Sequence, residues 1–348
     1  MIRYLYNPWT NIGHGHARSE LIMAKKLLTN DNYTCEILSV SPDFGDIVIN
    51  GGTNYESLLP AWLDRGPIFR FLKQKRENQR TESLVNFLKS ATCELSGQVV
   101  ITSARIEILD LVERRDLDHL DFRIRLIEPP RESDEIRRLK EISKSPRVSL
   151  AIETSDAKVA LQKLGIYEIM TVPPIQGLIT GVNKTIGEKI GLLWPVSFEE
   201  NEEHFKSFMN SIRGFNAIVR LPGNFEGKAT RDMYPGHTYV DRGISEEDFN
   251  GFISEIRVAI LPHRDYDLRG SGLAAILAGS GATIFSFKGN SFYNDIAQHA
   301  SIIPLDDLIN SSNTLTTRLN QELLTNSRTS DYRSWTQNCW EEFLFDDK

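Results

Sequence analysis

Between Arg257 and Phe287 the chain reads RVAILPHRDYDLRGSGLAAILAGSGATIFSF, and few architectures accept that order of residues. Val258 to Leu261 is a short apolar run closed by Pro262, as in a parallel strand buried on both faces. After a polar, charged loop, RGSG opens a run of helix formers from Leu273 to Ala278 that meets no breaker before Gly279. Ala282 to Phe287 predicts the next strand. In a strand, glycine loop, helix, strand unit the glycines let a ligand approach the backbone. The first helical turn then aims its unpaired N–H groups beyond the strand's carboxyl end. A phosphate matches those donors. Gly270 and Gly272 would equally serve an ordinary tight turn, but Arg264 and Arg269 flank it and favour an anion.

At 348 residues the chain exceeds one ordinary core and predicts two domains. Net charge is −7, and the deficit is confined to the second half: residues 1–180 carry 24 Lys+Arg against 24 Asp+Glu, leaving 16 against 23. That balance argues against nucleic acid as a partner. No apolar run approaches the length that spans a bilayer, and MIRYLYNPWT lacks the apolar core of a signal peptide. Cys35, Cys93 and Cys339 are odd in number and scattered, which suits a reducing compartment and suggests neither a disulfide framework nor a zinc site. The expectation is a cytoplasmic protein, at most peripheral at the inner face of the membrane.

The amino terminus echoes the central unit. Ile2 to Tyr6 predicts a strand ending at Asn7-Pro8, TNIGHGHARSE a loop, Leu21 to Leu28 an amphipathic helix, and Cys35 to Val40 a second strand. His14 and His16 lie in that loop with Gly13 and Gly15. No third ligand lies at metal spacing, so we expect no metal there and instead a histidine donating to a bound phosphate or sugar; plain surface histidines fit the same pattern. Ile47 to Ile49 begins another apolar run. Later, FRFLKQKRENQR forms a basic helix, either a solvated face or, over residues 70–80, a contact for a membrane surface or a polyanionic acceptor. Strands at Val99 to Thr102, Arg123 to Ile127, Val148 to Ile152 and Ile169 to Val172 alternate with helices at Glu107 to Arg114, 132–144 and 156–164. That alternation predicts a parallel sheet covered on both faces, with its ligand edge at the strand carboxyl ends.

Ile175 to Glu188 is rich in Gly, Thr and Asn and marks a linker. A new alternation follows: Ile190 to Trp194, a helix over 200–213, Ala217 to Arg220, a loop, Tyr239-Val240, a helix from Glu246, and the central unit. Tyr332 to Phe345 carries Trp335, Trp340, Phe343 and Phe345 and predicts an amphipathic helix packed back on the first domain. The fold class expected is α/β, with two tandem doubly wound, Rossmann-like domains facing across a cleft. Their expected bounds are 1–180 and 181–330, with a terminal helix in 331–348.

The run VDRGISEEDFNGFISEIRVAILPHRDYDLRGSGLAAILAGSGATIFS resembles the donor-binding half of GT-B glycosyltransferases, most of all those of family 4. SEEDFNGFISEI after Gly243 stands for that family's preceding helix, VAILP for its strand, RGSG for its glycine loop, and Gly281 for the glycine before its next strand. GHGHARSE, VSLAIETSD and IMTVPP are similar in layout to segments of the family's first domain. Two positions depart from the pattern. Arg269 and Ile276 stand where the family carries an acidic pair, and Trp194 is followed by PVSFEENEE where it carries a basic pair.

The resemblance implies transfer of a sugar from a nucleotide-diphosphate-sugar to an acceptor hydroxyl on a glycan, a lipid-linked glycan or a small molecule. It further implies retention at the anomeric carbon and no cofactor or obligatory metal. On that expectation Gly270, Ser271, Gly272, Leu273 and Arg269 hold diphosphate. Arg220 or Lys228 neutralises it, with Arg231 and Arg264 as further cations, and His16 touches sugar or phosphate beside Gly13 and Gly15. Three alternatives remain. A nucleotide-sugar epimerase would need carboxylates such as Glu128 and Asp241, a non-catalytic partner subunit fits the lost acidic pair, and a sugar-binding protein fits least.

Overall fold

The computed structural model describes residues 2–8, 15–30, 33–40, 44–49, 67–92, 97–178, 188–195, 198–241, 243–264, 268–309, 312–325 and 330–345. The chain divides into two compact units: Met1–Ile152 with Leu161–Met170 and Glu341–Lys348, and Glu153–Ala160 with Thr171–Trp340. The short stretch after residue 152 therefore belongs to the second unit.

In chain order the first part runs β1 (Ile2–Tyr6), α1 (Gly15–Asn30), β2 (Thr34–Ser39), β3 (Ile47–Val48), α2 (Pro67–Thr92), β4 (Gly97–Ala104), α3 (Leu109–Val112), β5 (Asp121–Leu126), α4 (Ser133–Ile142), β6 (Val148–Ile152), α5 (Ser155–Lys163) and β7 (Met170–Thr171). The strands form one seven-stranded sheet in the order β3-β2-β1-β4-β5-β6-β7, and β1 to β6 pair in parallel. The helix expected over 107–114 is tighter than an α-helix at its start, because the Ile108 amide bonds the Arg105 carbonyl three residues back. The basic helix is longer than its sequence signal. It spans 26 residues, and Arg80 in it is buried rather than part of an exposed basic face.

The centre of this sheet is covered on both faces, so β4, β5 and β6 are almost wholly buried. Three arginines nevertheless lie inside it, and each has found partners. Arg3 donates to the Leu344 carbonyl and lies with its guanidinium carbon 3.9 Å from the Tyr33 ring centre; Arg123 donates to the Phe343 carbonyl at 2.6 Å. Those carbonyls end the last turn of the carboxyl-terminal helix, where a helix lacks internal donors and favours cations. Arg125 pairs with Glu20 of α1 at 2.8 Å and also donates to the Thr102 carbonyl and the Ser103 hydroxyl. The other Glu20 oxygen accepts from Asn7 at 2.7 Å.

The second unit contains β8 (Lys189–Leu193), α6 (Glu202–Ile212), β9 (Ala217–Arg220), α7 (Lys228–Met233), β10 (Thr238–Tyr239), α8 (Glu246–Ser254), β11 (Ile256–Ile260), α9 (Gly272–Ser280), β12 (Thr283–Ser286), α10 (Tyr293–His299), β13 (Ile302–Pro304) and α11 (Ser312–Leu324); α12 (Tyr332–Phe345) begins in it. Its sheet is parallel throughout, in the order β10-β9-β8-β11-β12-β13. Successive residues alternate between two cores. Val258 and Ile260 of β11 face Phe205, Phe208 and Leu315, while Ala259 and Leu261 face α8, α9 and α10. That two-sided burial is why the strand reads as an unbroken apolar run.

Helix α9 is set by three local devices. The Ser271 hydroxyl accepts from the Ala274 amide at 3.2 Å, capping its start, and Gly281 ends it with φ +84°. At Gly279 the helix presses on a 3₁₀ turn, Ile175–Leu178; a methyl group there would collide with the Gly177 carbonyl oxygen and lie 3.0 Å from its carbon. Gly279→Ala is therefore expected to lower stability by about 2 kcal/mol or more in a denaturant titration. Arg125→Leu, which strands the buried Glu20 carboxylate, is expected to cost roughly 3–5 kcal/mol in the same assay, and Glu20→Gln in the same background should recover part of it.

Candidate ligand site at the carboxyl end of the second sheet

Strand order in the second sheet reverses between β8 and β11, and in open α/β sheets the crevice beyond the strand ends at such a point is where ligands bind. The chain leaving β11 there is Leu261-Pro262-His263-Arg264, and Leu268-Arg269-Gly270-Ser271 leads into α9. The main chain of this segment is tied on several sides. Leu268 takes φ +56°, uncommon for a branched side chain, and its carbonyl accepts from the Thr154 hydroxyl at 3.3 Å. The Arg269 carbonyl accepts from Ser291 at 2.5 Å, and the Gly270 amide donates to the Glu153 carboxylate at 2.8 Å. Beyond Gly270, the amides of Gly272 and Leu273 have no acceptor among the described residues.

Sequence reasoning left out the residues that frame this loop. His263 is 4 % exposed, its ring lying edge-on to Phe198 with centres 5.9 Å apart and 6.5 Å from Phe292. Burial pulls its imidazole down to about 4, so the ring is neutral at pH 7. Its Nδ1 carries no hydrogen bond among the described residues. Asn290, fully buried, donates to the His263 carbonyl and to Ser286. Asp295 of α10 accepts from the Ser155 amide at 3.0 Å; burial raises its carboxyl above the ordinary range, with the hydrogen bonds from Ser155 opposing. A polar residue just past a strand-closing proline is the only local signal His263 offers. Glu153 offers none, since it lies 117 positions from its partner.

The expected cations are spread along the strand ends. Arg264 is exposed, its guanidinium carbon 4.2 Å from the Phe287 ring centre, and Arg269 is half-buried beside the loop. Arg220 ends β9, which β8 separates from β11, so the two strand ends lie about 10 Å apart. Its guanidinium rests over Phe249 of α8, 5.2 Å from the ring centre. Lys228 opens α7 and is exposed, and Arg231 on the same helix pairs with Asp241. Among the other proposed carboxylates, Glu128 is paired with Arg105 at 3.1 Å and Arg131 at 3.5 Å. Trp194, where a basic pair was absent from the sequence, is buried against Phe205 and Phe208 and donates to Glu200.

In the first unit the order reverses between β1 and β4. The buried Asn7, Glu20, Thr102 and Arg125 cluster occupies that point, with Asn7 donating to Thr102 at 3.0 Å. Gly15 and His16 open α1 by their backbone, whereas Gly13, His14 and the His16 side chain lie outside the described residues, as do Asp265 and Asp267.

No model of a known protein family matches this sequence, and no curated protein does. Solved structures match over the whole chain. A glycosyltransferase from Rickettsia africae superposes with a TM-score of 0.57 at 11% identity, covering 99% of this chain and 93% of its own. A UDP-GlcNAc 2-epimerase from Methanocaldococcus jannaschii gives 0.57 at 10% identity, covering 98% and 97%. An alpha,alpha-trehalose-phosphate synthase (UDP-forming) from Burkholderia vietnamiensis gives 0.53 at 10% identity, covering 100% and 95%. The chain has the fold these proteins share, two doubly wound parallel-sheet domains in the GT-B arrangement of elements.

Neutral His263 sets a pH dependence. Its folded value near 4 lies below the ordinary 6.5, so between those limits the unfolded chain binds a proton that the folded chain refuses. Stability is therefore expected to fall as pH drops from about 6.5 toward 4, by roughly 3 kcal/mol from this group. His263→Gln should flatten that part of the profile relative to the parent protein in denaturant titrations run at each pH.

Proposed function

We propose that this GT-B chain is a glycosyltransferase of the family 4 kind that takes a nucleotide-diphosphate-sugar as donor, and that the carboxyl end of its second sheet is the donor site. The observation that carries this reading is the head of α9. A capped helix starts directly after a glycine loop, with the Gly272 and Leu273 amides open, at the reversal of strand order. Such a helix terminus favours an anion through its unpaired amides and its dipole. The similar fold of a synthase named as UDP-forming agrees with a nucleoside diphosphate as the departing group.

On this reading the protein's work is leaving-group stabilisation. As the sugar takes on oxocarbenium character, charge grows on the departing diphosphate. The amides of Gly270 to Leu273 and the Arg269 guanidinium, together with Arg220 or Lys228, lower the barrier by donating to the oxygens on which that charge develops. Retention at the anomeric carbon, a role for His16, Gly13 and Gly15 beside the sugar, an acceptor that is a glycan, a lipid-linked glycan or a small molecule, and the absence of an obligatory metal belong to the same proposal. Membrane contact through residues 70–80 would bring a lipid-linked acceptor close.

An epimerase is the second reading, because an epimerase from Methanocaldococcus jannaschii has the same fold. Against it, Glu128 and Asp241 are both engaged by arginines, which disfavours either as a proton-transfer base. Titration calorimetry with uridine, guanosine, adenosine, cytidine and thymidine diphosphates separates the readings from a chain without a donor site. One nucleotide is expected to bind at micromolar concentration, and Arg269→Ala to weaken it at least tenfold. Absence of binding for all five at millimolar concentration would instead favour a non-catalytic partner subunit.

A further inference from the structure

Of the four loop amides assigned above to the donor phosphates, one is already bonded to a charge of the chain itself. Glu153, 8 % exposed, accepts the Gly270 N–H at 2.8 Å. A methyl group at Gly270 would lie 2.9 Å from that carboxylate oxygen and 2.8 Å from Pro174 Cγ, so glutamate and proline fill this flank of the glycine. The residues that follow Glu153 hold it there. Thr154 donates to the Leu268 carbonyl and caps the Ala157 amide, the Ser155 amide donates to Asp295, and Asp156 accepts from Asn294 at 3.1 Å. At the root of the same loop the buried His263 leaves Nδ1 without a partner among the described residues, a polar atom suited to a ligand rather than to the apolar rings around it.

We infer that Glu153 is the gate of this anion seat: its carboxylate rests on the Gly270 amide where a phosphate oxygen would rest, and it must leave before diphosphate is fully held. The inference rests on the donor-site reading above. A carboxylate and a phosphate cannot share one N–H, and two like charges at hydrogen-bond separation in a partly buried site repel strongly. The strap from Thr154 to Asp156 anchors the gate at its base and leaves the longer Glu153 side chain as the part that moves. The resting protein would then hold diphosphate less tightly than it would with the Gly270 amide free, and the seat would be completed only when Glu153 leaves that amide.

The test is calorimetric binding of inorganic pyrophosphate to the parent protein, Glu153→Gln and Glu153→Ala at one pH and ionic strength, with thermal melting of each variant. Glutamine keeps an oxygen for the Gly270 amide but removes the charge, and alanine empties the seat. Both variants are expected to bind pyrophosphate at least tenfold more tightly than the parent, whereas a merely structural Glu153 predicts weaker or equal binding. Equal or weaker binding by a folded Glu153→Gln overturns the gate and leaves the donor site standing. If none of the three proteins binds pyrophosphate at 10 mM, on the order of the weakest affinities such contacts give, the donor site fails and the gate with it.

Discussion

Strands covered on both faces leave almost no place for charge, and this constraint organises both sheets. A polar side chain in such a sheet must lie at a strand end or bring its partner into the core. The arginines of the first sheet show the second solution. Arg3 and Arg123 cap the terminal carbonyls of α12, and Arg125 enters with Glu20, Asn7 and Thr102 as one network. Each guanidinium thus replaces water with groups that themselves needed donors or charges. The result ties the last turn of α12 and the second turn of α1 to the strands by directional contacts rather than by apolar packing alone.

The second sheet shows the first solution. Its two central strands, β8 and β11, carry apolar residues to their last position, and the polar groups crowd the ends: His263 after β11, Glu153 and Thr154 against the loop, Ser291 and Asn290 behind it. Such a place allows a site because the sheet supplies rigidity while the strand ends supply unpaired amides. The loop before α9 is held in an uncommon backbone conformation at Leu268 by bonds to its own carbonyls. Strain of that kind persists only where surrounding bonds over-determine it, and it clusters at functional loops.

Much of the fold was legible locally. The apolar run of β11 and the helix formers of α9 were read with bounds shifted by one or two residues, because alternation and capping are properties of neighbouring positions; Gly279, read as the breaker, lies inside α9, which ends at Gly281. The alternation of strand and helix likewise led to two parallel, doubly wound sheets. Less was visible where side chains give mixed signals. The length of α2 and the closing elements α10, β13 and α11 were not read, since their apolar residues are sparse and their packing partners distant.

By itself the sequence determined the alternation of elements and the place of the glycine loop at the head of α9, because both follow from residues within one or two turns of each other. It could not determine what touches that loop. Glu153 on Gly270, Thr154 on Leu268 and the burial of His263 join positions more than a hundred apart or depend on the packing of Phe198 and Phe292. Hydrogen-bond partners and burial are properties of the folded neighbourhood, and a carboxylate that ends one strand reads in sequence like any other surface acid until the tertiary structure sets it on an amide.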